Sequence, residues 1–187
     1  MSPGEKGEGW SAVDVEPALA AIEVAIQNEL AGQRFYDEAS RHCIDVWAKD
    51  VFATLARDEE RHTQLLLGEH ESLSRSGQWL PPEDAMVAGE QVDITRIAFS
   101  TSGPDAELFP AGRAVSDAID RTWDDLAAIA FGINLERAAI SLYQKHAGAA
   151  GDPAAVRSFR FLVAEEEGHY RQLVDRWETL TGVEFES

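Results

Sequence analysis

The sequence predicts an all-α protein, an antiparallel four-helix bundle made of two similar helical hairpins. Three observations support this fold class. Four long segments place apolar side chains near the 3.6-residue period of an α-helix. Short turns join the first segment to the second and the third to the fourth, which makes each pair antiparallel neighbours. The second pair also repeats the first at a constant offset in residue number.

The first hairpin follows a short polar tail. Residues 1–13 are glycine-rich, which predicts a flexible segment. The first helix is predicted over about residues 14–42, with Pro17 in its first turn, where a missing N–H does no harm. Asp45 is a suitable N-cap for the second helix, which is predicted to run to about Ser74.

The helical period stops after the second helix. Residues 75–115 contain eight glycines or prolines: Gly77, Pro81, Pro82, Gly89, Gly103, Pro104, Pro110 and Gly112. Such residues interrupt long helices. We predict a crossover insertion between the two hairpins, with one short element, a strand or a turn, in residues 92–99.

The second hairpin begins after this crossover. A short helical stretch is predicted to start at Ser116. Thr122 with Asp125 resembles a capping box for the third helix, with Asp in place of the usual Glu or Gln. This helix is predicted to run to about residue 147 and to end at Gly148.

The fourth helix has clear signals at both ends. Asp152 followed by Pro153 combines a preferred N-cap with a preferred first helical residue. Gly182 predicts the end of the helix, near residue 180. We therefore expect a single domain over residues 14–182, followed by a tail over residues 183–187.

Composition restricts the function. The 187 residues carry 34 acidic and 16 basic side chains, a formal charge of −18. This charge disfavours binding to nucleic acids or anionic membranes, because their phosphates would be repelled. Cys43 is the only cysteine, which excludes an internal disulfide and a cysteine-ligated metal cluster. The sequence shows no signal-peptide pattern and no apolar run long enough for a bilayer, so we expect a cytoplasmic protein without membrane contact.

A repeat without gaps relates the two hairpins. Residues 19–22 (LAAI) recur as residues 126–129, 107 positions later. The same offset pairs four polar residues: Glu29 with Glu136, Tyr36 with Tyr143, Glu59 with Glu166, and His62 with His169. Apolar matches at one offset could arise by chance in helices. The joint recurrence of two Glu, a Tyr and a His indicates pseudo-two-fold symmetry.

Each repeat supplies one Glu on its first helix and a Glu-x-x-His motif on its second. The motif residues, Glu59 with His62 and Glu166 with His169, are three apart and share a helix face. The two Glu residues of each hairpin are equally far in sequence from its turn, at roughly 20 Å for a rise of about 1.5 Å per residue. All six side chains are therefore predicted to meet at one level, deep in the bundle.

Such a cluster needs positive charge. A buried carboxylate without a counter-charge costs several kcal/mol. Two divalent cations would balance the four predicted carboxylates. Carboxylate and imidazole ligands suit iron or manganese, and zinc can substitute. We therefore predict these metal ligands: Glu29, Glu59, His62, Glu136, Glu166 and His169.

Four neighbouring side chains are candidates for supporting the ligands. Tyr36 and Tyr143 lie two helical turns after the first Glu of each repeat. They are either plain core aromatics or, as we favour, hydroxyls that bond ligand carboxylates across the bundle. Asp58 and Glu165 precede the motif glutamates and could orient a histidine through its other nitrogen. Other charged residues are assigned to the surface or to turns: Glu23, His42, Glu60, His70, His146 and Glu167.

These motifs resemble those of the ferritin-like superfamily and, within it, the rubrerythrin-like di-iron proteins. A Glu from each of two helices and Glu-x-x-His from each of the others is the ligand set of such bundles. Residues 58–62 are also similar to the Asp/Glu-Glu-x-Arg-His motif of di-iron oxygenases. The likeness covers residues 15–75 and 116–181.

The resemblance implies two iron ions per chain. Glu29 and Glu136 would be terminal ligands, Glu59 and Glu166 bridging ligands, and His62 and His169 one nitrogen ligand per iron. It also implies a homodimeric oxidoreductase that reduces hydrogen peroxide or dioxygen. The alternatives are a ferroxidase, storage or regulatory protein that binds iron without peroxidase turnover, and a metal-free interaction module, which the cost of the buried acids disfavours.

The sequence departs from the families that it resembles in three ways. A single cysteine excludes the four-cysteine rubredoxin domain that supplies electrons in rubrerythrins, so the electron donor would be a separate protein. Ala139 replaces an additional glutamate of rubrerythrins. The methionine that binds haem in bacterioferritins has no counterpart, because the methionines here are Met1 and Met86, and we expect no haem.

Overall fold

Five α-helices make up most of the chain that the computed structural model describes, residues 15–97, 99 and 124–185. The helices are α1 (Val15–His42), α2 (Val46–Ser76), α3 (Pro82–Gly89), α4 (Asp125–Ala149) and α5 (Pro153–Thr181). No strand occurs in these residues, which confirms the predicted all-α class. The expected tail at 1–13 and the helical stretch from Ser116 lie outside the described residues.

The four long helices pack as two hairpins that face each other. α1 packs along α2 through a turn at residues 43–45, and α4 packs along α5 through a turn at residues 150–152. α1 also contacts α4, and α2 contacts α5. The described residues thus form an all-helical, bundle-like structure.

The helix ends follow local chemistry. Asp45 caps α2 as predicted, because its carboxylate accepts a hydrogen bond from the Ala48 N–H at 2.6 Å. The predicted capping box of α4 is wrong. Asp124 is the N-cap, and its side chain accepts from the Leu126 N–H, which lies 3.1 Å away. The helix therefore starts at Asp125 itself.

Two helices end in left-handed glycines. Gly77 after α2 has a φ of 68°, and Gly182 after α5 has a φ of 70°. This conformation costs glycine little, since it has no Cβ. The ends of α2 and α4 lie two residues beyond the predicted ones, at Ser76 and Ala149.

The turn of the first hairpin is bound to the second hairpin. The Asp125 carboxylate accepts hydrogen bonds from the backbone N–H groups of Ile44 and Asp45, at 3.1 and 2.7 Å. Arg176 donates from Nε to the Asp45 carboxylate at 2.9 Å, and its guanidinium lies 5.1 Å from the centre of the Trp47 ring. These contacts fix the hairpins to each other at one end of the bundle.

The segment after α2 agrees with its prediction at one point and differs at another. A 3₁₀ turn (Ile94–Arg96) is the turn expected within residues 92–99, and no strand occurs in the described part of that range, whereas the helix α3 was not predicted. The proline pair explains the difference. Pro82 occupies the first turn of α3, followed by Glu83 and Asp84, an arrangement that favours a helix start over an interruption.

α3 approaches α2 closely because two glycines face the partner backbone. A Cβ at Gly68 would overlap the carbonyl oxygen of Ala85, and a Cβ at Gly89 would overlap that of Gln64. Glu69, fully buried, adds a polar contact by accepting from the Leu80 N–H at 2.9 Å.

The apolar core is divided into two clusters. One, the Phe52 cluster, contains buried residues 35–39 of α1 and the following Cys43, with neighbours on the other three long helices. The other, the Phe159 cluster, contains buried residues 18–26 of α1, with neighbours on the other four helices. Tyr36 stacks on Phe52 and Tyr143 on Phe159, with ring centres 5.8 and 6.3 Å apart. The two clusters therefore follow the sequence repeat.

Two further features of the helices qualify the sequence predictions. Phe185, in the predicted C-terminal tail, packs on the Trp177 ring with centres 5.1 Å apart.

Among the described helices, α4 alone is long and apolar enough to cross a membrane. Half of that stretch is buried inside the protein, so it is weak support for a membrane span.

The glycine contact between α2 and α3 gives a prediction. Gly68→Ala should lower the free energy of unfolding by about 2 kcal/mol, because the methyl group would overlap the α3 backbone. Gly168→Ala is the matched control, since a Cβ there meets nothing within 4 Å. It should raise stability by up to about 1 kcal/mol through helix propensity. Urea unfolding measures both, and equal stability of Gly68→Ala and wild type would contradict the packing.

Candidate metal centre

All six predicted ligand residues lie together inside the bundle. α1 contributes Glu29 and α4 contributes Glu136, while α2 and α5 each contribute a Glu-x-x-His pair. Each of the six is at most 5% exposed. On every long helix they fall between the residues of the Phe52 cluster and those of the Phe159 cluster. A polar layer therefore separates two apolar layers.

The six residues form two overlapping groups with metal-binding spacing. The Glu29 group consists of Glu29, Glu59, His62 and Glu166. The Glu136 group consists of Glu59, Glu136, Glu166 and His169. In each group, one ligand atom per residue lies within 4.8 Å of all the others. Glu59 and Glu166 belong to both groups, whereas every other member belongs to one.

Both histidines turn the same ring nitrogen towards the carboxylates. His62 Nδ1 lies 3.1 Å from Glu29 and 3.1 Å from Glu166. His169 Nδ1 lies 3.0 Å from Glu166 and 3.7 Å from Glu136. Nδ1 is therefore the nitrogen that each ring presents to the centre.

The other ring nitrogens point to acids of the opposite hairpin. His169 Nε2 lies 3.4 Å from Asp58, and His62 Nε2 lies 4.0 Å from Glu165. Arg61 adds a positive charge to both acids, at 2.8 Å from Asp58 and 3.8 Å from Glu165. The structure thus brings both predicted acids beside a histidine, more closely for Asp58 than for Glu165.

The two tyrosines bond across the bundle. The Tyr36 hydroxyl on α1 donates to Glu136 on α4, and the Tyr143 hydroxyl on α4 donates to Glu29 on α1. Both tyrosines are at most 1% exposed to solvent. Burial, followed by the charge of Glu136 or Glu29, raises the pKa of each phenol well above its usual value. Each hydroxyl therefore keeps its proton and remains a donor.

Burial makes the carboxylates expensive to ionise. It raises the pKa of Glu59 well above the usual value, and the charge of Glu29 raises it further. Burial, together with the charge of Glu166, raises the pKa of Glu136 to about 8. Without a metal, both groups therefore favour their protonated, neutral form.

Glu166 and the histidines show the opposite balance. Burial opposes ionisation of Glu166, but the hydrogen bond from His169 and the nearby His62 ring hold its pKa well below the usual range. Burial lowers the pKa of His169, but its close contacts with the Glu136 and Glu166 carboxylates outweigh this and raise the pKa to about 10. The pKa of His62 is also raised, mainly by the charge of Glu29 against the effect of burial. The imidazoles thus carry protons where a cation could bind.

The donors are of the types that bind divalent cations. Four carboxylates and two imidazoles are the hard and borderline ligands that iron and manganese accept. One carboxylate oxygen, Glu166 Oε1, is buried and lies 3.1 Å from His62 Nδ1, but this contact lacks the geometry of a hydrogen bond. A buried oxygen without a well-aligned donor costs free energy unless a cation or water binds it. The residues are therefore suited to hold metal ions.

Most of the charged residues assigned to the surface or to turns lie there, but His146 does not. Glu60 and Glu167 are exposed, as expected, and His42 is also at the surface. His146, assigned to the surface or a turn, is 5% exposed, and its ring packs 5.2 Å from Phe159. Its spacing of seven residues from the buried Ala139 puts both on one helix face, a signal that the repeat did not carry.

The sequence also missed a few polar contacts. Glu23 is partly buried and lies 3.6 Å from His70. Glu69 accepts a hydrogen bond from Ser158 at 2.6 Å, and its burial raises its pKa to about 7. Asn28, next to Glu29, is 5% exposed. None of these polar residues is matched by an identical residue in the other repeat, so the 107-residue offset gave no sign of them.

The protonated cluster predicts how stability depends on pH. His169 is stabilising below its unfolded pKa of about 6.5, and this contribution is lost as the pH rises through about 10. The raised pKa of Glu136 likewise makes the folded protein less stable as the pH rises from 4.5 to about 8. The chelated protein should therefore melt at a lower temperature at pH 8.5 than at pH 6.5.

Metal should change that pH dependence. Mn²⁺, which replaces the protons, should raise the melting temperature more at pH 8.5 than at pH 6.5. Differential scanning calorimetry with and without chelator measures both effects. A chelated protein that is equally stable at the two pH values would contradict the proposed charge balance.

Comparisons of the chain with protein-family models, with curated proteins and with solved structures find no significant match. The arrangement of the six residues must therefore be interpreted from its own geometry and chemistry.

Proposed function

We propose that the chain holds two iron ions in the Glu29 and Glu136 groups and reduces hydrogen peroxide or dioxygen with electrons from a separate donor protein. One observation carries the proposal: both groups contain Glu59 and Glu166. A shared pair of carboxylates between two separate ligand sets is the arrangement that a dinuclear centre requires. A single ion would leave one histidine and one glutamate of this set without a metal partner.

Each ion would have its own pair of ligands besides the shared ones. Glu29 and His62 would bind one ion, and Glu136 and His169 the other. When bound, a ferrous pair would supply the two electrons that, with two protons, reduce hydrogen peroxide to two water molecules. The charge of two divalent ions equals that of the four carboxylates, so the buried centre would be neutral.

The surrounding residues would keep the ligands in position. Tyr36 holds the Glu136 carboxylate, and Tyr143 holds that of Glu29, each from the opposite hairpin. Asp58 lies beside His169 Nε2, where a carboxylate fixes the ring orientation and increases the basicity of the nitrogen that faces the metal. The ligand set is thus oriented by hydrogen bonds from both halves of the chain.

The two apolar clusters would control access of water. The Phe52 cluster lies on one side of the polar layer and the Phe159 cluster on the other. Restricting water to the ligand layer strengthens the electrostatic interactions there and limits side reactions. A small oxidant would reach the centre more readily than a large organic molecule.

The proposed reaction is tested by anaerobic titration with Fe(II). The protein should bind about two irons per chain, and peroxide should oxidise them with the near-ultraviolet charge-transfer band of a ferric pair. A reductant should restore the ferrous state, so that turnover continues. Failure to bind iron, or bound iron that peroxide and dioxygen both leave ferrous, would contradict the proposal. Accumulation of many irons in a large particle would instead favour a storage role.

The shared ligands give a sharper test. Glu59→Gln should reduce the binding of both irons, because Glu59 belongs to both groups, whereas Glu29→Gln should leave about one iron per chain. Glu60→Gln is the matched control, since Glu60 is adjacent but exposed, and should still bind about two irons. Elemental analysis after gel filtration measures the stoichiometry. Equal losses in Glu59→Gln and Glu29→Gln would argue against a shared carboxylate.

A further inference from the structure

A small cavity lies against the candidate metal centre on the side of α1 and α4. Four of its residues belong to the ligand set, and Tyr36 also contributes to the wall. The remaining residues form a facing pair on each helix: Asn28, Gly32, Leu135 and Ala139. The cavity has room for about one water molecule.

Asn28 brings an unpartnered hydrogen-bond donor to this cavity. Its residue is 5% exposed, and its side-chain nitrogen has no hydrogen-bond partner among the described residues. A buried donor without a partner costs on the order of 1–3 kcal/mol. A ligand that accepts a hydrogen bond in the cavity would remove this cost.

The repeat shows that the cavity is asymmetric. The 107-residue offset pairs Asn28 with Leu135 and Gly32 with Ala139. One wall therefore carries an amide, and the equivalent position of the other wall carries an apolar side chain. Gly32 also keeps space open, because a Cβ there would lie 3.2 Å from Glu59 Oε1.

We infer that Asn28 is a substrate-binding residue, whose side-chain amide donates a hydrogen bond to a small oxygen-containing ligand at the metal centre. This inference rests on the proposed function. The small size of the cavity favours a ligand of very few atoms. The donor favours hydrogen peroxide over dioxygen, because peroxide oxygens accept hydrogen bonds well and dioxygen accepts them poorly.

The structure also offers a way to move the donor. Leu135 occupies the equivalent position of the second repeat and lines the same cavity. Asn28→Leu replaces the amide by the larger apolar side chain that the second repeat carries at the equivalent position. The double variant Asn28→Leu/Leu135→Asn places an amide on the opposite wall of the cavity.

The experiment uses the full chain loaded with iron, with azide as a spectroscopic probe of the oxidised centre. Asn28→Leu should still bind about two irons per chain. Its dissociation constant for azide should rise about tenfold, as expected for the loss of one hydrogen bond to a charged ligand. Its KM for peroxide should rise by a similar factor.

Two controls separate binding from a structural effect. Without metal, Asn28→Leu should be at least as stable as wild type, because it removes an unpaired buried amide. The double variant should recover azide affinity to within about threefold of wild type. Recovery would support a role for the amide as a donor inside the cavity.

Contrary results would be equally clear. Unchanged azide and peroxide affinity in Asn28→Leu with two bound irons would overturn the role of Asn28 and leave the proposed function intact. A double variant that binds iron normally but azide as weakly as Asn28→Leu would also overturn it. A wild-type protein that binds no iron would overturn the proposed function, and the role of Asn28 with it.

Discussion

The need to neutralise a buried layer of acids governs this structure. Four glutamates and two histidines lie at one level of the bundle, each at most 5% exposed. Without metal, protons offset the negative charge of the cluster, which explains the raised pKa values of Glu136 and His169. Metal ions would replace those protons, so folding, pH and metal binding would be coupled through the same side chains. All four long helices contribute to this polar layer, and an apolar cluster lies on either side of it.

The repeat explains how one chain can build such a layer. Two copies of a helical hairpin place equivalent ligands face to face, and Tyr36 and Tyr143 then bond to ligands of the opposite copy. The symmetry is incomplete at the cavity beside the six residues. Asn28 faces the cavity opposite Leu135, so a ligand there would meet a polar wall on one side and an apolar wall on the other. This difference makes the two sides of the cavity unlike, whereas the six predicted ligands are matched in pairs by the repeat.

The sequence predicted features that repeat or that have strong local signals. The all-α class, the Asp45 cap and the glycine that ends the last helix follow from periodicity and turn chemistry. The grouping of the six ligand residues follows from matched spacing. What depends on contacts between distant segments was not predictable. The burial of His146, the close approach of α3 through Gly68 and the donor at Asn28 arise from packing that has no counterpart in the other repeat.

We propose that two metal ions share Glu59 and Glu166. Anomalous diffraction at the iron edge, from crystals grown with Fe(II) under anaerobic conditions, would locate the ions. We expect two peaks about 3.5–4 Å apart, the separation typical of two-metal sites, with both shared carboxylates between them. A single peak, or two peaks that do not share a carboxylate, would contradict a shared pair of ligands.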